Sequence, residues 1–273
     1  MDELLANPAV QAGVAPFAVA LAVSAALFRS RLLGLAVVAA FATVIALAVG
    51  YSFESLTAMR KLILVGLGSG VVVLVIELAG LPASARIRTG LALAIAAAAI
   101  WVVWRVLQQQ ETAKIALYAA AVALYAAALL ESSLRAAADV ISGAVTSLIL
   151  GLAAGALAVL GASALLGQIG IATAVGSGAV LVVQAAASRR SPSGWTVALP
   201  GAVVAALVLL LAVFTGSLPW FCLLPTLAIP WATRVLAPGG RGVWFTAAAT
   251  GLAAAVPAAV AVGLAWFAVA SAG

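Results

Sequence analysis

The side chains that could carry chemistry in this sequence are few, and the first of them is an acid inside an apolar run. Glu77 lies three residues before Gly80, where that run ends. At this depth a carboxylate can couple the movement of a proton or a cation to transport across a membrane. It can equally pair with Arg86 or Arg88 at the interface, and the sequence leaves both interpretations open.

A short glycine–serine motif occurs twice, at residues 68–70 and again at 176–178, a shift of 108 residues. If the glycines break their helices, the freed backbone groups and the two serine hydroxyls would line a solute path. The alternative is close helix packing, because small residues four apart allow backbones to approach one another. The residues concerned are Gly68, Ser69, Gly70, Gly176, Ser177 and Gly178.

The apolar run that holds the second motif contains more polar side chains than the other runs. Thr173 and Ser177 are four residues apart, and Gln184 lies near the end of the run. Polar groups at membrane depth are candidates for solute contact by default. A solute pathway is therefore predicted along this run and along its counterpart around Ser69.

Three prolines fall within residues 219–230. Each removes a backbone donor, so the apolar run there is predicted to be kinked or broken, with Pro225 and Pro230 as candidate hinges. A fixed irregular helix that neighbouring helices support is the alternative.

A ladder of charges is predicted where another apolar run ends. Glu131, Arg135 and Asp139 are spaced four residues apart, which places them on one face of a helix. Asp139 also precedes the next apolar run, where a carboxylate suits the positive end of the helix dipole. These charges are predicted to be structural.

Most enzymatic and metal chemistry is excluded by missing residue types. The sequence has no histidine and one cysteine, Cys222. Histidine-ligated zinc, haem ligation by histidine and Ser-His-Asp triads therefore cannot form, and neither can an internal disulfide. We predict a protein that is not an enzyme and that has no cofactor and no metal site.

The composition requires a membrane as solvent. Hydrophobic residues make up 67% and charged residues 7%, whereas soluble domains are roughly 45–50% apolar and 25% charged. Since lipid cannot hydrogen-bond the backbone, and the runs lack the alternation of barrel strands, an all-α polytopic transmembrane bundle is predicted. Ten spans are predicted, at 9–28, 32–51, 62–81, 89–107, 114–131, 139–161, 167–187, 196–214, 218–235 and 246–268.

The distribution of positive charge predicts the orientation. Nine of the 13 Lys and Arg residues fall in one set of alternate connections and four in the other. The positive-inside rule then places both termini on the non-cytoplasmic side of a bacterial-type inner membrane. Arg60 and Lys61 are predicted to lie in an outer loop.

The repeated motif also predicts the domain organisation. The 108-residue shift maps the first four spans onto the next four. One integral membrane domain, 1–273, is predicted, with tandem repeats at 9–107 and 114–214 and an appended hairpin at 218–268. Because four is an even number, the two repeats would have the same orientation, as in parallel-repeat transporters.

Two functions from different classes fit these observations. The first is a small secondary transporter or permease for an unidentified small solute, which predicts a hydrated cavity lined by the polar residues above. The second is a non-catalytic membrane subunit, anchor or scaffold, which predicts that those groups are packed or paired. The predicted partners are the lipid bilayer and either other membrane subunits or a second copy. The +6 charge is scattered and does not predict nucleic-acid binding.

Overall fold

The computed structural model describes residues 7–51, 54–82, 84–137, 139–161, 163–188, 194–235 and 242–271. Within these ranges the secondary structure is helical and contains no strand. Helical segments lie at all ten predicted positions when a π or 3-10 stretch is joined to the α-helix that it adjoins. They are α1 (Val10–Ala26), α2 (Gly34–Val49), α3 (Ala58–Leu78), α4 (Ala85–Leu107), α5 (Thr112–Ala136), α6 (Val140–Gly161), α7 (Ala164–Ala186), α8 (Gly194–Thr215), the 3-10 segment Trp220–Ala228 followed by α9 (Ile229–Val235), and α10 (Val243–Ala270).

Seven helices within the described ranges, α3 to α8 and α10, are long and apolar enough to cross a bilayer. The helices α1 and α2 are apolar but shorter. This architecture confirms the predicted all-helical fold class and indicates an integral membrane protein, because a helix satisfies its own backbone hydrogen bonds in lipid. The number of crossings and the tandem repeat stay predictions.

The start of α3 differs from the prediction. The side-chain oxygen of Thr57 accepts a hydrogen bond from the amide of Arg60 at 3.3 Å, which satisfies a donor that a helix start leaves free. As a result α3 begins at Ala58, before the predicted residue 62. The prediction that Arg60 and Lys61 lie in an outer loop is wrong, because both belong to this helix.

The centre of the bundle is α8. All its residues from Gly194 to Ala212 are buried, and α2 to α7 all pack against it. A helix that is apolar on every face is stable where other helices surround it. Pro200 lies inside α8 without ending it.

Glycines bring α6 to its neighbours at backbone distance. A β-carbon added to Gly170 of α7 would lie 2.5 Å from the amide nitrogen of Gly155 on α6, and one added to Gly151 would lie 2.9 Å from the carbonyl oxygen of Gly170. Ser147, one turn before Gly151 on α6, lies directly against Gly201 of α8. Because lipid gives helices no hydrophobic drive to associate, such van der Waals contact is what holds them together.

The edge of the bundle is formed by α10. It packs against α6, α9 and the 3-10 segment, so the two segments predicted to form a C-terminal hairpin lie together. Large apolar side chains, among them Leu252, Val256, Trp266 and Phe267, point outwards from it. An apolar outer face is what a helix at the rim of a membrane protein presents to lipid or to another subunit.

Candidate functional site

Two predicted pathway residues, Ser177 and Thr173, are buried in α7. The Ser177 hydroxyl donates to Oγ of Ser147 on α6 at 2.6 Å. The Thr173 hydroxyl donates to the carbonyl of Ile169, one turn earlier, at 2.9 Å. Both hydroxyls have a protein partner and no exposed surface. Ser177 therefore links α7 to α6, and Thr173 is bonded within its own helix.

A third predicted residue, Gln184, is buried without a hydrogen-bond partner among the described residues. Its exposed fraction is 1%, and neither the amide oxygen nor the amide nitrogen has a partner. Leaving such a group unsatisfied away from water costs about 1–3 kcal/mol.

We expect Gln184→Leu to raise the free energy of unfolding by about 1 kcal/mol, because leucine removes two unsatisfied polar atoms. The measurement is thermal unfolding of the purified protein in detergent, followed by circular dichroism. Gln168→Leu, at a half-buried position on the same helix, is the control and should change stability by less than about 0.5 kcal/mol. A loss of stability in Gln184→Leu would contradict the assignment of this amide as unsatisfied.

The helices that carry the two glycine–serine motifs are unbroken through them. A β-carbon on Gly70 would lie 2.9 Å, and one on Gly176 2.6 Å, from side chains of α2, so both motifs pack against that helix. A β-carbon on Gly178 would have its nearest neighbour at 3.8 Å, an ordinary contact, and one on Gly68 would face open space. Close packing is therefore seen at Gly70 and Gly176, whereas Gly68 and Gly178 make no such close contact.

Gly68 and Ser69 line an apolar cavity of about 260 Å³ between α3 and α4. Its floor includes Leu199 and Val203 of α8, so it reaches the central helix. The Ser69 hydroxyl donates to the carbonyl of Gly66 at 2.6 Å. Because that hydroxyl is bonded within its own helix, the walls are almost wholly apolar.

A second cavity, of about 300 Å³, continues the first towards the end of α3. The two share Val72 and Leu91 in their walls, and together they are called the α3–α4 groove. Val71 and Val75 on its wall are 60% and 55% exposed. The groove therefore opens sideways, in the direction of the surrounding membrane.

Glu77 does not face this groove. Successive helix residues are rotated by about 100°, which places Glu77 about 140° from Val72 and about 160° from Val75. It is half-buried, and it makes no ion pair with any residue that the structure describes. Neither of the predicted pairings, with Arg86 or with Arg88, is formed, and Arg88 Nε lies 3.7 Å from Glu131 Oε1 instead.

The predicted charge ladder is formed in part. Arg135 Nε lies 2.7 Å from Glu131 Oε1 in the last two turns of α5. Asp139 lies beyond the end of α5, and its Oδ1 accepts the amide hydrogen of Ser142 at 2.8 Å. The prediction that Asp139 favours the start of α6 is confirmed by this N-cap.

Lys61 was missed as a site residue by sequence reasoning. Its side chain is 7% exposed, and Nζ donates to the backbone carbonyl of Trp101 at 2.8 Å. Nζ also lies 4.9 Å from the centre of the Trp101 ring, within cation–π distance. The contact joins the start of α3 to the last part of α4. Thr57, as a potential N-cap, is the sequence signal that would have placed Lys61 inside the helix.

The proline-rich segment is irregular, as predicted. Pro225 lies within the 3-10 segment, and Pro230 is the second residue of α9. Thr226, between them, shares a buried hydrogen bond of 2.7 Å with the hydroxyl of Tyr125 on α5. Neighbouring helices thus support the segment, and the role of Pro225 and Pro230 as hinges stays a prediction.

The predicted site residues do not form one cluster. Gly68 and Ser69 lie on the α3–α4 groove, Ser177 lies between α6 and α7, and Glu77 is on another face of α3. Over the described part of the chain, no three Cys, Asp or Glu side chains come together as metal ligands. The α3–α4 groove is therefore the candidate functional site. The chain matches no protein-family model, no curated protein and no solved structure.

Proposed function

We propose that the chain is a small membrane permease whose solute enters sideways from the bilayer through the α3–α4 groove. The observation that carries the proposal is the groove itself, an apolar cavity that opens laterally and reaches the central helix. Ligand sites are concave and apolar, and few per protein. A polar solute would lose its hydrogen bonds to water on entering such walls. The solute is therefore apolar or amphipathic.

The proposed permease crosses a bacterial-type inner membrane ten times and has both termini on the non-cytoplasmic side. It has no enzymatic activity. The coincidence of helical segments with the predicted spans supports the crossings. The tandem repeat is not required, because the equivalent residues Gly68 and Gly176 have different surroundings: one faces open space and the other faces α2.

The proposal is tested by flux in sealed vesicles that contain the purified protein. A panel of fluorescent solutes is used: a labelled single-chain amphiphile, a labelled phospholipid and a labelled sugar. A membrane-impermeant reductant added outside destroys only the label that is exposed on the outer leaflet. We expect the protein to move labelled amphiphiles from the inner to the outer leaflet, where the reductant destroys their fluorescence. The fluorescence of the enclosed sugar should remain. Protein-dependent flux of the sugar alone would refute lateral entry.

We expect Glu77→Gln to abolish any uptake that a proton gradient drives, because an amide cannot take up and release a proton. The basis is the half-buried position of Glu77 without an ion pair in the described structure. Glu111→Gln is the matched control, since Glu111 forms an exposed pair with Lys114 at 3.0 Å, and such pairs contribute little. Unchanged gradient-driven uptake in Glu77→Gln would remove Glu77 from the mechanism.

A non-catalytic membrane subunit is the second candidate function. It is favoured by the fully buried, hydrogen-bonded state of Ser177 and Thr173 and by the apolar outer face of α10. The same vesicles separate the two functions. If no amphiphile on the panel moves while the vesicles remain sealed and the protein remains folded, the permease proposal fails and the subunit role is retained.

A further inference from the structure

Lys61 is a buried cation without a counter-charge in the described structure. Its ammonium has three donors, of which one bonds to the carbonyl of Trp101. No carboxylate among the described residues lies within ion-pair distance of it. A positive side chain near a helix N-terminus is also opposed by the helix dipole. Burying such a charge without a counter-charge is costly, which makes Lys61 a candidate functional residue.

The helix register places Lys61 directly above the α3–α4 groove. With about 100° of rotation per residue, Lys61 lies within about 40° of the groove residues Val65, Gly68 and Val72. On α4, Arg105 lies within about 20° of the groove residues Ala98 and Ile87 by the same rule. Two cations therefore stand at the same end of the groove, one on each wall.

Arg105 strengthens this positive end. It lies in the last turn of α4, one turn beyond Trp101, and its side chain is exposed. It forms no ion pair with any residue in the described ranges. The acid that follows, Glu111, is bonded to Lys114 at 3.0 Å. Among the described residues, therefore, no carboxylate neutralises Lys61 or Arg105.

The length of the groove fits a hydrocarbon chain. Its wall on α3 runs from Val65 to Ile76, about 17 Å at 1.5 Å per residue. One leaflet of a bilayer provides about 15 Å of hydrocarbon. A lipid with its headgroup at Lys61, about 6 Å before Val65, would place its chain along the part of the groove nearest the cations.

We propose that the α3–α4 groove binds an acyl chain of an anionic phospholipid, with the lipid phosphate against Lys61 and Arg105. This inference rests on the proposed function, because it names the class of solute that the groove admits. Ammonium and guanidinium groups bind phosphate through short charge-assisted hydrogen bonds. Basic pockets between membrane helices select anionic headgroups in the same way.

The test is native mass spectrometry of the purified protein, titrated with phosphatidylglycerol or with phosphatidylcholine that has the same acyl chains. We expect tighter binding of phosphatidylglycerol. Lys61→Met and Arg105→Met should each weaken it about fivefold, and the double variant by more, because each basic group contributes a comparable attraction. Lys61→Arg should retain it. Gly68→Leu, which fills the groove, should weaken the binding of both lipids.

Arg86→Met, at the opposite end of the groove, is the matched control and should bind as the unaltered protein does. Equal affinity for the two lipids, or unchanged binding in the Lys61→Met/Arg105→Met double variant, would overturn the proposal. If Lys61→Met does not fold, Arg105→Met and Lys61→Arg still decide it, because loss in the first and retention in the second remain required.

The outcome is distinguishable from that of the proposed function. Selective binding of phosphatidylglycerol without flux in vesicles would leave the lipid site intact and refute the permease. Flux of amphiphiles without headgroup preference would support the permease and refute the phosphate site. If Gly68→Leu is the only variant that loses both lipid binding and flux, the groove binds the lipid and Lys61 and Arg105 do not contribute to binding.

Discussion

Replacing Gly170 by alanine is expected to destabilise the protein by about 3 kcal/mol. The added methyl group would lie 2.5 Å from the amide nitrogen and 2.7 Å from the α-carbon of Gly155, which belong to the backbone of α6. A flexible side chain can rotate away from such a contact, but a helix backbone cannot. The two helices must therefore separate along their length, and the hydrogen bond between Ser177 and Ser147, at 2.6 Å, is lost with them.

The matched control for Gly170→Ala lies on the same helix. A methyl group on Gly178 would have its nearest neighbour, Leu148 Cδ1, at 3.8 Å, an ordinary contact. Gly178→Ala should be neutral or stabilising by about 0.5–1 kcal/mol, because alanine is the better helix former. Both variants are measured by chemical unfolding in mixed micelles. Equal stability of the two would show that the approach of α6 to α7 does not limit stability.

Replacing Gly68 by leucine is expected to reduce solute flux about tenfold or more, a change that corresponds to about 1.4 kcal/mol of lost binding. Apart from its own helix backbone and chain neighbours, no atom lies within 4 Å of the position that a β-carbon on Gly68 would take. The new side chain therefore extends into the cavity of about 260 Å³. It occupies the space that the solute needs. It does not press on a neighbouring helix, and the free energy of unfolding should be unchanged or slightly raised.

Gly251→Leu is the control for Gly68→Leu. Gly251, on the peripheral helix α10, likewise has no atom of another segment within 4 Å of its β-carbon position. It therefore tests the same change of residue away from the groove. Its flux should equal that of the unaltered protein. A similar loss of flux in both variants, or unchanged flux in Gly68→Leu, would show that the groove is not the route.

The positions of the helices were predictable because a long apolar run is stable in lipid only as a helix. Each predicted span coincides with a helical segment, including the irregular one that contains Pro225. The boundaries were less predictable, since they depend on single hydrogen bonds such as the one that Thr57 accepts from Arg60. Because of this N-cap, Lys61 belongs to the helix, where it is buried, and not to the loop before it.

The candidate site was predicted in part. The glycine–serine motif of α3 predicted a solute path along this helix, and Ser69 and Gly68 do line the groove. The partners of polar groups were not predictable, because they come from residues distant in sequence. Ser177 is bonded to Ser147, 30 residues away, and Lys61 to Trp101, 40 residues away. A buried polar group in lipid needs a hydrogen-bond partner, but the sequence does not show which helix will supply it.

The enclosed position of α8 has a consequence for biosynthesis. Every helix with substantial packing against it, α2 to α7, comes earlier in the chain. When α8 leaves the ribosome, all the surfaces that will surround it have already been made, and its hydropathy, the highest of the seven long helices, lets it enter lipid unaided. The buried core residues Cys222, Ile229 and Ala261 come later in the chain, so the core is complete only when the segments that follow α8 have joined it.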